Sequence, residues 1–127
     1  MSKEIRKRVT LRWRDLDMLG HLNQSVYHEM LEEGRGALLG SLKEAAFPFV
    51  LAHIELDYRN EVRKDHEWVE VVTAVERIGT SSVTFADCIE RSDGVVAAEG
   101  RSVCVAWDPS ARTKRALSGG ERAALSS

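Results

Sequence analysis

Asp15 and Asp17 stand one residue apart, Gly20, His21 and Asn23 follow, and helical periodicity begins directly after them. A carboxylate beside a helix N-terminus lies next to backbone N–H groups that have no partner within the helix. Donors that polarise a carbonyl, beside an anion that can attack it or activate water, make an acyl-transfer site. The same residues also have a purely conformational use, because Asp and Asn ahead of a helix bond their own backbone and make turns. Spacing alone favours the turn for both carboxylates.

The elements around this segment follow from periodicity. Ile5, Val9, Leu11 and Trp13 alternate with Arg6, Arg8, Thr10 and Arg12, which predicts a strand with one wet face. Residues 15–24 read as a turn. Tyr27, Met30, Leu31, Gly34, Leu38 and Leu42 then recur at three- and four-residue steps. This predicts an amphipathic helix from Ser25 to about Lys43, roughly five turns long. Asn23 and Ser25 are both suitable caps. Glycine inside a helix costs about 0.8–1 kcal/mol against alanine. Gly34 is therefore read as a point of close packing and Gly40 as the fraying end. Pro48 stops any continuation. Strands are expected over 50–58, 68–77, 82–90 and 95–107, with a hairpin at Ser92-Asp93-Gly94. One face of the last strand holds only small residues: Ala98, Gly100, Ser102, Cys104 and Ala106. From about residue 109 the chain reads as a loose tail, with a possible short helix over 119–125 capped by Ser118.

The order is β-α-β-β-β-β, and 127 residues make one domain. An antiparallel sheet of five strands wrapped around one long central helix is the economical way to bury that helix. The composition, 43% apolar and 30% charged, suggests neither disorder nor a membrane span. A net charge of −2 argues against nucleic acid as a partner. Cys88 and Cys104 read as buried free thiols of a reducing cytosol, and the charged N-terminus argues against secretion, so a cytoplasmic location is expected. The four histidines have no ligand spacing, and no metal is expected.

The run D-L-D-M-L-G-H-L-N-Q-S-V-Y, Asp15 to Tyr27, resembles the start of hotdog-fold acyl-CoA thioesterases of the 4-hydroxybenzoyl-CoA thioesterase type. The element order is also that of the α+β hotdog fold. The resemblance implies hydrolysis of an acyl-CoA thioester to free acid and coenzyme A, with no cofactor. It makes Asp17 the catalytic carboxylate, as nucleophile or general base, and leaves Asp15 structural. It gives the carbonyl-polarising role to the backbone N–H of Gln24. Gly20, His21, Asn23 and Tyr27 then shape the turn and the pocket wall. Coenzyme A carries phosphates, so a basic rim is expected, and Arg59, Arg63 and Lys64 are its candidates. Ser81 and Ser82 resemble the family's nucleotide-contact turn. The resemblance further implies a homodimer joined sheet edge to edge, within a homotetramer. Glu33 on the helix is the alternative carboxylate, as in a second group of hotdog thioesterases. The competing functions are a non-catalytic acyl-CoA or acyl-carrier binding module, and hydrolysis of acyl-carrier-protein thioesters.

Overall fold

The structure is a computed structural model that describes residues 3–42 and 48–126. The first strand, β1, covers Glu4–Thr10 and is shorter than alternation predicts. Trp13 does not continue it. It lies in a single 3₁₀ turn, Trp13–Asp15, with 83% of its surface exposed. The cause is Asp15, whose carboxylate accepts from Arg12 N–H at 2.8 Å and from the Arg12 guanidinium at 2.9 Å. Those bonds pull the chain out of the strand.

Helix α1 is Gln24–Gly40, with Asn23 as its cap. Asn23 Oδ1 accepts from Ser25 N–H at 3.2 Å, which settles the choice between the two candidate caps. The helix ends at Gly40, where fraying was expected, short of the expected bound at Lys43, which lies outside the described residues. Five further strands are β2 (Phe49–Tyr58), β3 (Trp68–Ile78), β4 (Ser82–Arg91), β5 (Val96–Asp108) and β6 (Thr113–Lys114). Every pairing is antiparallel, and the spatial order is β1-β3-β4-β5-β2. The sheet has six strands rather than five, because the two-residue β6 folds back on the end of β5. Gly94, at φ 85°, closes the β4–β5 hairpin as its Asp-Gly sequence predicts.

The buried side of α1 crosses β1, β3 and β4. A Cβ on Gly34 would collide with Thr73 Oγ1 and come within 2.7 Å of Val71 Cγ1, so the close packing expected there is present. Gly100 is tighter still, because a side chain would strike the backbone of Glu55 in β2. Small residues on β5 thus let β2 curl over it.

The core is in two parts. One packs Val26, Tyr27, Met30 and Leu31 of α1 against Val69, Val71 and Ile89. The other packs Leu38, Leu39 and Leu42 against Val75, Val83 and Phe85. Between them lies a polar layer of Arg35, Thr73, Asp87 and Ser102, each no more than 6% exposed. Burial pushes the Asp87 carboxyl up to about 6, while Ser102 and Arg35 pull it down.

The C-terminal segment is not loose. Helix α2, Gly119–Ser126, buries Leu125 completely in the second core. Glu121, also fully buried, receives both terminal nitrogens of Arg115 at 2.8 and 3.0 Å. Ser118 and Glu121 cap the helix reciprocally. The result is an antiparallel curled sheet with two helices, a hotdog-like fold.

Candidate active site

The turn ahead of α1 is built around Asp17. Its Oδ1 accepts from Leu19 N–H at 2.9 Å and His21 N–H at 3.1 Å. Its own N–H donates to His21 O at 2.8 Å, and Gly20 N–H returns to Asp17 O at 3.1 Å. Gly20 completes the loop at φ 77°, a conformation other residues rarely adopt. Asp17 therefore does shape the turn. It remains exposed, and among the described residues no hydrogen bond falls on its Oδ2. Asp15 is 1% exposed. Burial pushes its carboxyl up, but the bonds from Arg12 outweigh this and hold it below the usual range.

Asp17, His21, Gln24 and Tyr27 meet Tyr58, Arg59, Asn60 and Glu61 around a cavity of about 320 Å³. Gln24 is the first residue of α1, so its N–H has no acceptor within the helix. Tyr27 is buried and meets Tyr58 edge to face, with ring centres 5.0 Å apart. Tyr58 Oη lies 3.5 Å from His28 Nε2. The residues after β2 reach this place because Leu22 N–H donates to Val62 O at 2.7 Å, and Arg59 and Asn60 both donate to Ala97 O. A carboxylate, free helix N–H groups and an aromatic wall thus share one concavity.

The remaining candidates lie elsewhere. Gly20 and Asn23 face a second concavity across Asp17, of about 650 Å³, with Trp13, Leu16 and Met18. Of the three basic candidates, Arg59 alone lines the first cavity. Arg63 is bonded to Asp65 at 3.0 Å, and Lys64 Nζ donates to Leu11 O at 2.9 Å. Ser82 pairs with Val105 on β5, far along that strand from Ala98, the partner of Tyr58. Ser81 O accepts from Ala106 N–H at the same end. Glu33 lines a smaller cavity with Arg12, Asp15 and Glu29. Among the described residues, no group of three or more His, Cys, Asp or Glu is arranged to hold a metal. Sequence reasoning gave Tyr58, Asn60 and Glu61 no role. Tyr58 ends β2 and the other two follow it, but the bond from Leu22 N–H to Val62 O that brings them to the turn is long-range.

The family model and the solved relatives define the class, that of thioester hydrolases. The chain belongs to the Thioesterase-like superfamily, whose family model matches residues 11–124. A predicted thioesterase from Bacillus stearothermophilus is similar over 97% of this chain and 94% of its own, at 28% identity and a TM-score of 0.87. A thioesterase from Thermus thermophilus, solved with coenzyme A and Zn, is similar at 28% identity and a TM-score of 0.84, covering 94% and 95%. A 1,4-dihydroxy-2-naphthoyl-CoA thioesterase from Synechocystis shares the fold at 15% identity and a TM-score of 0.81, covering 97% and 96%. No functionally curated protein matches the sequence.

Proposed function

We propose that the chain hydrolyses acyl-CoA thioesters to a free acid and coenzyme A. Asp17 supplies the attack, as nucleophile or as general base on water, and the Gln24 N–H polarises the carbonyl. The observation that carries this reading is the joint placement of Asp17, whose Oδ2 has no partner among the described residues, and the unpaired start of α1 on one cavity. An anion there can add to a carbonyl carbon, while helix N–H groups stabilise the oxyanion that develops. The coenzyme A complex of the Thermus relative supports the thiol half of the substrate. Arg59 at the cavity wall suits a phosphate or pantetheine contact.

The working form in this proposal is a homodimer within a tetramer, with the hotdog helix central to each protomer. Among the described residues β2 pairs only with β5, and its Val50 and Leu51 are 38% and 48% exposed. An open apolar edge invites a second strand. Light scattering tests this directly, and a monomer at micromolar concentration contradicts it.

A thiol-release assay with short, long and aromatic acyl-CoAs tests the activity. Release on at least one of them is expected. Tight acyl-CoA binding with no release favours a binding module, and release from an acyl-carrier protein alone favours that carrier.

A further inference from the structure

The turn and the segment after β2 bring together two side chains that sequence spacing keeps forty residues apart. His21 Nε2 lies 2.9 Å from Glu61 Oε1, and both residues line the cavity that holds Asp17 and Gln24. Ion pairs between flexible surface side chains contribute little, because ordering them costs entropy. Here the two backbones are fixed. His21 pairs with Arg63 in a short antiparallel bridge, beside the Leu22–Val62 bond. The Glu61 carbonyl accepts from Arg91 Nη1 at 3.1 Å, and Asn60 Nδ2 donates to Val96 O at 2.8 Å. Val62, next in sequence, is fully buried. On the other side, the main chain of His21 bonds Asp17 through both its N–H and its carbonyl. Glu61, His21 and Asp17 therefore sit on two segments pinned to each other.

An ionised carboxylate accepts hydrogen bonds and donates none. Facing Nε2, Glu61 selects the imidazole tautomer that carries its proton on that nitrogen. In that tautomer Nδ1 carries the lone pair. We propose that Glu61 is a positioning residue acting through His21, fixing the imidazole so that Nδ1 accepts a hydrogen bond from the water that attacks the thioester. This rests on the thioesterase reading above, with Asp17 as general base. The water oxygen bonds to the carbonyl carbon and gives one proton to Asp17 Oδ2. The C–S bond then breaks, and the departing thiolate takes that proton. The second water proton leaves with the acid product. His21 gains and loses nothing; it aims the water's lone pair, which is an orientation effect.

The test is steady-state kinetics on the best acyl-CoA, with parent protein, Glu61→Gln, Glu61→Asp, His21→Ala and the Glu61→Gln/His21→Ala double variant. The Glu61 side chain is 44% exposed, so these changes leave the core untouched. A glutamine can offer an N–H to Nε2 and so releases the tautomer. We expect Glu61→Gln to lower kcat at least about tenfold with KM changed no more than about twofold. Glu61→Asp, which keeps the anion, should recover part of the loss. The double variant should be no slower than His21→Ala alone, because residues acting as one unit are not additive. Parent-like kcat in Glu61→Gln, or a double variant whose loss is the product of the single losses, overturns the proposal. If Asp17→Asn abolishes turnover while Glu61→Gln does not, this inference fails and the thioesterase reading stands. A parent protein that releases no thiol overturns both.

Discussion

Asp15 and Asp17 are separated by one residue and hold opposite environments. Asp15 is 1% exposed and clamped by Arg12, whereas Asp17 is exposed, with only Oδ1 engaged by backbone N–H groups. Asp17→Asn keeps the side chain's size and removes its anion. Turnover should fall by about 10²–10⁴-fold, the range for acid–base groups, with KM changing far less. Asp15→Asn should act through stability instead, lowering the melting temperature while kcat of the folded fraction holds. Melting curves and kinetics on both variants separate the two roles. Near-normal turnover in folded Asp17→Asn makes the mechanism wrong, and Glu33→Gln becomes the next variant to assay.

If the substrate carries an anionic part, Arg59 is the expected contact, because, of the three basic candidates, it alone lines the cavity, while its own ion pair to Glu99 is long, at 3.4 Å, and exposed. Arg59→Ala should raise KM, spare kcat, and flatten the dependence of KM on salt. Lys64→Ala should change stability more than KM, because its ammonium holds the carbonyl of Leu11. KM measured over a salt series checks both, and a Lys64 effect on KM larger than that of Arg59 would reverse the assignment.

The buried carboxyl of Asp87 gives the fold an unusual pH dependence. Its value is raised from 3.8 to about 6 by burial, so the folded state holds the proton more tightly than the unfolded chain. The stability linked to Asp87 is therefore fully present below 3.8 and lost as pH rises through about 6. Subtracting the melting temperature of Asp87→Asn from that of the parent isolates this contribution. That difference should fall as pH rises across the window. A difference that stays level with pH contradicts the expectation.

The C-terminal helix is held by a charge pair that cannot lose one member cheaply. Glu121 is fully buried and Arg115 grips both its oxygens. Arg115→Met leaves that carboxylate without its guanidinium, and breaking a buried pair costs about 3–5 kcal/mol. Urea denaturation should show a loss of this order. A loss below about 1 kcal/mol would place the pair among weakly coupled surface contacts.

Strand and helix positions were legible because each carries its own period. Alternation located β3, β4 and β5 to within a residue or two at each end, and the three- and four-residue steps located α1. Trp13 misled because alternation cannot see the Arg12–Asp15 bonds that end β1. The tail misled for a similar reason: the partner that makes Glu121 tolerable in the core, Arg115, is recognised only once both are folded. In the site, the Asp17 turn was readable because its glycine and cap are local. Tyr58 and Glu61 were not, since antiparallel contact between residues 21–22 and 62–63 leaves no trace in either segment alone.

The polar layer of Arg35, Thr73, Asp87 and Ser102 separates the part of the core beneath the start of α1 from the part beneath its end. Side chains that do not touch change independently. Leu22 and Tyr27, which line the cavity, belong to the first part, whereas Leu38, Phe85 and Leu125 belong to the second. The core that backs the cavity wall is thus a separate body from the core that seats the C-terminal helix, so a change of side-chain size behind the wall is expected to leave the packing of α2 in place.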